Sequence, residues 1–595
     1  MIPSSIFRAG CLALVLVVAG CRKQTSSKPR TGHALPSTPL VSKAEPGQFG
    51  GRLVIAAAGS PKTFNPVLAL DATSENINRL LFGSLVHMNW TTQEPSPGLA
   101  ESWSVEPDQK TWSFKLRQGV RWSDGTPLTV DDVVFTWNEI MYNPELNRNT
   151  YELFRLGGRN FAVTRVDEFT LRVVTPEVFP PLLEVFGPVA ILPRHVLGPS
   201  VKEKRFAVAY GLHTPPERLV GCGPYRLKEF QAGKFALLER NPEFWETDTQ
   251  GRRLPYFDEV MFTVGGGPGT DTILFLNGKS DVCETVRPEN YAQFKEASAG
   301  GRFQLAELGV GTELSFLWFN QNTGTNMAGK PIVAPAKLKW FRNKKFRQAV
   351  SCAIDRDRMV REIYQGRAQP TYAFISAENR KWNNPNIPRF GYDPARARAL
   401  LAEIGIQDRN GDGVLEDEQG NAIEIVFNAA VGNPGREKTA VMIQEDLKKL
   451  GVKPDLQLLD FKTLLDKINL TFDYECAAMG LGGGGLDPAS QIRVLKSNEE
   501  LHQWFPFQKT PSTAWEAEID KLMDAQMQTL DFAQRKNGFD QVQAILAEEL
   551  PMIYTLSPFT YAAIRSDIGN ARPSALAPFH ATWNLEELYF KPKVK

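Results

Sequence analysis

The pattern of hydrophobic and polar positions alternates between short strands and amphipathic helices along most of the chain. Residues 52–58 (RLVIAAA) form an apolar run typical of a buried strand, and residues 112–116 alternate as in a half-buried strand. Residues 74–82 carry apolar side chains at helical spacing, and Asp393 precedes another helical segment. Residues 520–550 predict two further helices. No fixed-period repeat is visible, so the pattern predicts an α/β or α+β fold.

Length and composition narrow the class of protein. The chain has 595 residues, which is too long for one hydrophobic core and predicts about three domains. Its 42% hydrophobic and 23% charged residues are those of an ordinary globular protein. With Lys+Arg 68 against Asp+Glu 67 the net charge is +1, which offers no field for nucleic acid. We therefore expect no nucleic-acid partner.

The N-terminus has the features of an export signal. Arg8 precedes an apolar run over 9–20 that is too short to cross a bilayer and typical of a signal peptide. The run ends in VAG before Cys21, which resembles the lipobox of bacterial lipoproteins. This motif predicts a signal peptide over 1–20 and a lipid on the Cys21 thiol; a plain secretory signal with a chance cysteine is the alternative.

The region after Cys21 predicts a tether. Residues 22–48 are rich in Ser, Thr, Lys and Pro and contain few apolar groups, so we predict a flexible segment over 21–50. No later stretch has the roughly eighteen apolar residues that a membrane span needs. We therefore expect a protein of the periplasm or cell envelope, anchored to a membrane that it does not cross. Arg22 leaves inner or outer membrane open.

The remaining cysteines and the histidines do not predict an enzyme. Cys222, Cys283, Cys352 and Cys476 are far apart and lack the spacing of a zinc site. An exported protein can form disulfides, but the sequence does not decide which of these pair. The chain has six histidines without metal-binding spacing and no G-x-S-x-G motif. We expect no catalytic residues and no cofactor.

Several short motifs follow one another in a fixed order between about residue 52 and about residue 590. They are 97–103 (PGLAESW), 116–135 (LRQGVRWSDGTPLTVDDVVF), 221–225 (GCGPY), 238–242 (LERNP), 347–349 (RQA), 353–356 (AIDR), 392–394 (YDP) and 446–452 (DLKKLGV). Each motif alone is moderately specific. Together they resemble the family 5 solute-binding proteins, the large substrate receptors of peptide and nickel ABC importers.

This resemblance implies an α/β fold of the bilobal periplasmic-binding-protein type (class II, large three-domain form), with a ligand cleft between two lobes. Two crossings of the chain, near Trp318 and near Ser557, would form the hinge. The implied domains are domain I over 51–86, 193–318 and 558–595, domain II over 87–192, and domain III over 319–557.

The resemblance also points to a ligand site in domain III. Residues 474–480 read as a buried strand that leads into the glycine-rich segment before Asp487. In peptide-binding relatives this strand end carries a carboxylate that pairs with the α-ammonium group of the ligand. When the alignment is counted back without gaps from Asp487 and Pro488, that position falls on Gly484. A desolvated ammonium group needs a partner, so strong binding of free peptide N-termini is not expected unless Asp487 or Glu475 replaces the missing acid.

Aromatic side chains are further candidates for ligand contact. Phe461 falls where peptide-binding relatives carry a ligand-contacting tryptophan, and Trp504 lies in a Pro- and Gln-rich setting typical of a loop. Burial in the core is the alternative for all of these rings. The full set of predicted ligand-binding residues is Asp71, Thr73, Trp318, Asn320, Phe461, Gly482, Gly483, Gly484, Asp487 and Trp504.

One segment resembles a calcium loop. Asp408, Asn410 and Asp412 occupy the first, third and fifth positions of an EF-hand pattern, with glycine at the sixth. The twelfth position is Gln419, which cannot supply the bidentate carboxylate, and a strand-like run follows where a helix is needed. We therefore predict a solvated turn rather than a metal site.

The resulting functional prediction is a monomeric, lipid-anchored substrate receptor of an ABC importer. It would capture an oligopeptide-like solute by cleft closure and deliver it to the permease subunits in the membrane. An oligosaccharide is the alternative ligand, because sugar rings select tryptophan faces with neighbouring amides. Nickel and haem rank behind both of these ligands, because the sequence has no histidine cluster that would bind a metal cargo. The alternative class of function is a lipoprotein that has no role in transport and uses the same fold as a hydrolase or a chaperone.

Overall fold

The structure is a computed structural model that describes residues 32–57, 59–148, 150–265, 269–482 and 485–592. The predicted signal peptide over 1–20, with Cys11, and the predicted lipidation site Cys21 lie outside the described residues.

Strands and helices alternate along the described chain. The strands are β1 (Leu40–Val41), β2 (Arg52–Ala57), β3 (Val86–Asn89), β4 (Glu94–Pro97), β5 (Ala100–Val105), β6 (Thr111–Leu116), β7 (Arg155–Leu156), β8 (Arg159–Asn160), β9 (Ala162–Arg165), β10 (Thr170–Val174), β11 (Tyr225–Gln231), β12 (Phe235–Arg240), β13 (Glu246–Thr247), β14 (Glu259–Val264), β15 (Val282–Cys283), β16 (Phe303–Val310), β17 (Leu314–Phe319), β18 (Ala368–Pro370), β19 (Glu424–Ala430), β20 (Lys453–Leu459), β21 (Cys476–Leu481), β22 (Ile553–Tyr554), β23 (Leu556–Arg565), β24 (Ile568–Gly569) and β25 (Tyr589–Phe590). The helices are α1 (Ala72–Leu81), α2 (Val130–Phe135), α3 (Leu182–Val185), α4 (Arg194–Lys202), α5 (Thr270–Leu276), α6 (Tyr291–Ser298), α7 (Pro335–Arg342), α8 (Lys344–Ala353), α9 (Arg356–Tyr364), α10 (Pro394–Ala402), α11 (Pro434–Leu450), α12 (Phe461–Asp466), α13 (Ile492–Leu495), α14 (Ala514–Gln526) and α15 (Phe532–Glu549).

The largest sheet is built around β2. Its strand order is β11-β12-β14-β2-β15-β23-β16, and β18 adds to β23. β2 runs parallel to β14 and β15, so it is covered on both faces, and Leu53 and Ile55 are fully buried. That double burial explains why β2 reads as a continuous apolar run. The strand predicted at 52–58 and the helix predicted at 74–82 are both confirmed, as β2 and α1.

A second sheet has the order β20-β19-β21-β17-β22. β19 is parallel to both β20 and β21, while β17 is antiparallel to β21 and β22. Asp393 caps α10 by accepting the Arg396 N–H at 2.9 Å, and α14 and α15 are the two helices predicted over 520–550. These predictions are therefore confirmed.

A third sheet, β5-β6-β10-β9, is wholly antiparallel. The alternation predicted at 112–116 is confirmed in β6. Its apolar face joins a core that contains Trp122 and Trp137, both fully buried. We use the labels domain I, domain II and domain III for the parts built on the eight-stranded, the four-stranded and the five-stranded sheet, respectively.

The chain crosses between domains I and III at two places. β16 of domain I is joined to β17 of domain III by residues 311–313, and β22 of domain III is joined to β23 of domain I by Thr555. The first crossing was predicted near Trp318, which itself lies inside β17 and is paired with Ala477, just after residues 311–313. β18 pairs with the start of β23 and so adds a third strand beside the crossings.

Residues 32–50 do not form the flexible tether that composition predicted. β1 pairs with β13 in parallel, and the main-chain oxygens of Thr38 and His33 accept hydrogen bonds from Arg117 at 2.5 Å and Arg253 at 2.6 Å. The Phe49 ring packs edge-on against Tyr256 at 5.1 Å. This ordered segment over 32–50, which we call the N-terminal strap, is held because domains I and II satisfy its main-chain polar groups.

The described cysteines and helices add two facts. Cys222, Cys283, Cys352 and Cys476 are all buried and free, so no disulfide joins them. In the described part of the chain, none of the helices combines the length and apolar character that crossing a bilayer requires.

Candidate functional site

The carboxyl ends of three parallel strands meet at one edge of domain III. Val431 follows β19, Asp460 and Phe461 follow β20, and Gly482 follows β21. Val431 is 45% exposed and Phe461 is 53% exposed, so this edge presents apolar surface to solvent. In open α/β sheets ligands bind outside the carboxyl ends of the strands, which makes this edge the candidate half-site in domain III.

Domain I has an equivalent edge. Gly59, Gly265 and Glu284 lie just beyond the carboxyl ends of β2, β14 and β15, which are parallel to one another. The Glu284 carboxylate accepts the Ala581 N–H at 2.7 Å and also contacts the Thr582 hydroxyl. Glycine-rich sequence follows one parallel strand in each domain, GGGPG at 265–269 and GGGG at 482–485.

The register of the strands places both edges beside the crossings. β21 is antiparallel to β17 and its last residue, Leu481, pairs with Leu314 immediately after the first crossing. β15 is antiparallel to β23, so its carboxyl end points toward the start of β23 beside the second crossing. A small pocket at this junction is lined by Thr312, Leu314, Phe374, Ser376, Asn379, Gly482 and Gln491. The two edges therefore flank the crossings, where a cleft between two lobes would have its hinge.

An ion pair connects the domain III edge to the first crossing. Arg436, in the first turn of α11, donates to the carboxylate of Glu313. The guanidinium reaches it across Gly480 near the end of β21, where a Cβ atom would overlap the guanidinium group. Both side chains are partly exposed, at 38% for Arg436 and 57% for Glu313. This arrangement places a cation within reach of a ligand at the edge.

Comparison with known proteins agrees with this geometry. A family model described as bacterial extracellular solute-binding proteins, family 5 middle, matches residues 94–502. The chain belongs to this family. It is 30% identical to a probable ABC transporter-binding protein of Deinococcus radiodurans, over 85% of this chain and 86% of the relative.

Two further matches cover nearly the whole chain. The oligopeptide-binding protein AppA of Bacillus subtilis is 26% identical over 94% of each chain. The structure of the periplasmic binding protein MelB of Agrobacterium fabrum in complex with stachyose has a TM-score of 0.66 at 20% identity, covering 94% of this chain and 89% of that one. The fold is therefore the α/β bilobal periplasmic-binding-protein fold that the sequence predicted.

Membership of family 5 also settles the general function. The chain is a solute-binding protein of an ABC transporter, and it is not an enzyme. Family 5 homologues are extracellular or periplasmic, which agrees with the export signal read from the sequence.

The two tryptophans predicted to face a ligand are core residues instead. Trp504 is fully buried, and its indole N–H donates to Glu516 at 2.9 Å. Trp318 is also fully buried, and its indole N–H donates to the Tyr474 hydroxyl at 3.0 Å. Trp504 does lie in a loop, but its ring is not exposed there, because a buried carboxylate rather than water satisfies the indole N–H.

The carboxylates that might have replaced the missing acid at Gly484 already have partners. Asp487 is buried, and Arg535 donates to its two oxygens at 2.7 and 2.6 Å. Glu475 lies at the amino end of β21, where it accepts from Lys337 at 2.7 Å and from the Val426 N–H at 2.8 Å. A ligand ammonium group would have to displace these donors.

Other predicted site residues have structural roles. Asn320 is buried and donates to the main-chain oxygens of Phe472 and Tyr474, both at 2.9 Å. Asp71 caps α1 by accepting the Ser74 N–H at 2.9 Å, and Thr73 is buried in that first turn. Asn320 and Asp71 therefore hold local structure, and ligand contact by these residues stays a prediction.

Gly482 and Phe461 lie at the domain III edge. Gly482 lines the pocket at the crossings, whereas Gly483 and Gly484 lie outside the described residues. The Phe461 ring is exposed at the start of α12, next to Asp460, which caps that helix by accepting the Thr463 N–H at 3.0 Å. This is the only one of the three predicted aromatic contacts that the described structure leaves open to a ligand.

The calcium-like loop contains one more acidic side chain, Glu416, than the three positions on which the sequence prediction was based. Carboxylate oxygens of Asp408, Asp412 and Glu416 all lie within 4.8 Å of one another, and Glu416 occupies the ninth position of the pattern. Asp408 accepts the main-chain N–H groups of Gly411 at 2.7 Å and Gly413 at 3.0 Å. β19 follows the loop where an EF-hand would have a helix, as the sequence predicted.

Two functional candidates were missed from sequence. Arg436 and Glu313 are 123 residues apart and carry no local motif, so only the fold brings them together. The position of Gly480 is the one sequence signal, because a residue without a side chain at the end of a buried strand indicates close approach of another group.

Proposed function

We propose that this protein is the lipid-anchored receptor of a peptide importer, and that it recognises its ligand without a carboxylate anchor for a free amino terminus. The support is the state of the acids near the domain III edge: Asp487 is neutralised by Arg535, and Glu475 is paired with Lys337 at the far end of β21. Truncating one partner of a buried charge pair costs about 2–5 kcal/mol, so displacing Arg535 for a ligand would be expensive.

Main-chain recognition fits this edge better than charge pairing at the amino terminus. The glycine-rich sequences that follow a strand in both domains carry no side chains, a composition that favours close approach of an extended ligand chain. Affinity would come from hydrogen bonds along the ligand backbone, with Phe461 as an apolar contact and Arg436 as the partner of a ligand carboxylate. The relative AppA, an oligopeptide-binding protein, supports the same ligand class.

The test compares matched peptides with free and acetylated amino termini by titration calorimetry. We expect acetylation to change Kd by less than about threefold. A loss of tenfold or more would contradict the proposal and would mean that an acid anchors the ammonium group. Asp460→Asn then tests one candidate for the anchor, because Asp460 is an exposed carboxylate at this edge.

Oligosaccharides form the second arm of the same experiment. The MelB complex holds stachyose, and the exposed Phe461 ring offers one face for a sugar. The burial of Trp318 and Trp504 removes the two other faces that a sugar site would have used. Binding of oligosaccharides, with no binding of any peptide, would replace peptide by sugar as the ligand class.

Gly480→Ala tests the role of Arg436. A Cβ at this position would overlap the guanidinium and push it away from Glu313, without removing the charge. We expect weaker binding of peptides with a free C-terminal carboxylate and unchanged binding of their amides. Gly538→Ala in α15 is the control, since a Cβ there meets no other atom within 4 Å and Gly538 is not among the predicted ligand-binding residues.

A further inference from the structure

The β3–β4 hairpin is a part of domain II with a well-defined turn. The Asn89 side chain fixes this turn by accepting the N–H groups of Thr91 at 3.0 Å and Thr92 at 3.1 Å. At the base of the hairpin, Val86 belongs to the core of domain II, and its N–H donates to the Gly187 main-chain oxygen at 3.0 Å. The turn therefore presents its polar groups in an arrangement that domain II sets.

Two hydrogen bonds join this turn to domain III. The Gln93 side chain donates to the Glu378 main-chain oxygen at 2.6 Å. In the opposite direction, the Arg380 guanidinium donates to the Thr91 main-chain oxygen at 2.9 Å. Each domain thus supplies one side-chain donor and one main-chain acceptor, and separation of domain III from domain II would break both bonds.

An ion pair lies beside these hydrogen bonds. The Lys381 ammonium of domain III is 2.7 Å from the carboxylate of Glu94, the first residue of β4. The same ammonium lies 5.5 Å from the centroid of the Phe532 ring, at the start of α15. We call the residues of these three contacts the clasp: Thr91, Gln93 and Glu94 of domain II, with Glu378, Arg380 and Lys381 of domain III.

The domain III half of the clasp belongs to a segment that also borders the ligand pocket. Ser376 and Asn379 line the pocket at the crossings. The Ser376 hydroxyl donates to the Val310 main-chain oxygen at the end of β16 at 3.4 Å, and the Asn379 amide donates to the Leu486 main-chain oxygen at 3.0 Å. The segment over 376–381 therefore connects the first crossing, the pocket and the clasp.

A second contact between domains II and III is made by other residues. The Gln109 side-chain oxygen, in the turn between β5 and β6, accepts the Leu530 N–H at 2.8 Å. The side chains of Met527 and Leu530 pack against the core of domain II. The Leu530 amide therefore reports whether domains II and III are together, without belonging to the clasp.

We propose that the clasp holds domains II and III together in the ligand-free protein and so controls entry to the ligand pocket. Among the described residues, those that line this pocket belong to domain III and the first crossing, so domain II acts on it through the segment over 376–381. Contacts of this kind each shift an equilibrium by about twofold to tenfold, so three of them favour the closed arrangement and still allow opening. The inference rests on closure of the cleft and not on the class of ligand.

Hydrogen exchange resolved to single amides tests the clasp on the full chain, without any ligand. In Lys381→Glu the ion pair is lost and the new carboxylate faces Glu94, so we expect protection of the Leu530 N–H to fall about fivefold. Glu94→Lys should have the same effect from the domain II side, because it places two ammonium groups together. The double variant Lys381→Glu with Glu94→Lys re-forms the pair in reverse and should restore protection to within about twofold of the unmodified protein.

Two controls separate the clasp from a general loss of stability. Glu177→Lys reverses an exposed acid of domain II that pairs with Arg159, and it should leave the Leu530 amide unchanged. The Ser497 N–H, bonded to Asp520 inside domain III, should keep its protection in every variant. If Ser497 loses protection in Lys381→Glu, that variant has loosened domain III itself, and Glu94→Lys, which changes domain II alone, then decides.

The proposal has three outcomes that would overturn it. The Leu530 amide of the unmodified, ligand-free protein could be unprotected, Glu94→Lys could leave its protection unchanged, or the double variant could fail to restore it. Peptide titration is a separate measurement: a protein that binds no peptide but passes this test would lose the proposed ligand class and keep the clasp.

Discussion

One buried carboxylate, that of Glu516, holds together a cluster of polar side chains in domain III. Glu516, at the start of α14, accepts hydrogen bonds from Trp504 at 2.9 Å and Gln508 at 2.8 Å, and His502 lies 3.2 Å from it. Burial acts to raise the pKa of Glu516, but hydrogen bonds from His502, Gln508 and Thr513 outweigh it and lower the pKa to about 2. A polar cluster that resembled a surface loop in the sequence is therefore part of the core.

Glu516→Gln should destabilise the protein in a pH-dependent way. The amide has one acceptor oxygen where the carboxylate had two, so buried donors lose partners at a cost of about 2–4 kcal/mol. A carboxyl whose pKa is lowered by folding contributes stability above its unfolded pKa, and this contribution is lost as the pH falls toward 2. The loss in free energy of unfolding should therefore be full at pH 7 and smaller at pH 3.

Urea unfolding at both pH values measures this effect. Glu518→Gln on the same helix is the matched control, because Glu518 is partly exposed and pairs only with Lys521. Equal destabilisation at pH 7 and pH 3 would show that Glu516 acts through shape rather than charge.

Among the elements, the N-terminal strap differs most clearly from the structure predicted from its sequence. Its residues are polar and proline-rich, yet it pairs with β13 and packs on Tyr256 and Tyr589. Gly47 lies where the strap crosses these rings: a Cβ there would be 2.6 Å from the Tyr589 ring and 3.0 Å from Tyr256. The strap therefore depends on a residue without a side chain at this crossing point.

Gly47→Ala should lift this part of the strap and lower the free energy of unfolding by about 1–3 kcal/mol, as overpacking usually does. Limited proteolysis within 32–50 should become faster, and thermal unfolding should begin at lower temperature. Gly59→Ala is the control, since a Cβ there meets nothing within 4 Å. Identical proteolysis of the two variants would contradict the docked position of the strap.

The loop over 408–419 gives a second prediction for an element. Gln419 takes the place of the bidentate acid, and Asp408 is already occupied by two main-chain N–H groups. We expect calorimetry to detect no calcium binding at micromolar affinity. One calcium bound at that affinity, and lost in Asp412→Ala, would show that Glu416 completes a site.

The elements that sequence predicted well are those whose burial is decided locally. β2 is apolar from Leu53 to Ala57 because both of its faces are covered, and α10 has its cap Asp393 directly before Pro394. Trp504 and the strap were predicted wrongly because their partners are distant or polar in ways that composition does not record. The strap residue His33 contacts Glu243, 210 residues away, and no periodic pattern carries that information.

For the candidate site, the sequence located the glycine-rich end of β21 and Phe461 but not the ion pair of Arg436 with Glu313. The first two follow from a strand that ends in glycines and from family resemblance, both of which can be read along the chain. The ion pair depends on the register of β17 against β21, which brings the first crossing beside α11. Register is a property of the folded sheet, so apart from Gly480 no residue indicates this ion pair before the fold is known.

At the scale of the whole molecule, the contacts between domains fall into two groups: those that hold domains I and II together, and those that domain III makes with domain II. The strap bonds to domain II through Arg117 and Gln118 and to domain I through β13, so it ties these two domains together. Domain III is joined to domain I at the two crossings, and among the described residues it meets domain II through side-chain hydrogen bonds such as those of Gln93 and Arg380. If the proposed cleft closes, we expect domain III to move against a combined body of domains I and II.

The last prediction concerns attachment to the membrane. The sequence VAG before Cys21 predicts that the Cys21 thiol is acylated, and Cys11 lies inside the apolar run of the signal. Labelling with an alkyne fatty-acid analogue should mark the unmodified protein and Cys11→Ala equally, because only Cys21 is in the motif. Cys21→Ala should lose the label and accumulate as an unprocessed precursor, since lipid transfer to the thiol precedes cleavage. Intact mass spectrometry distinguishes the precursor from a protein cut by an ordinary signal peptidase. If Cys21→Ala keeps its label, the anchor is elsewhere; if the unmodified protein is cleaved without a label, the N-terminus is a plain secretory signal.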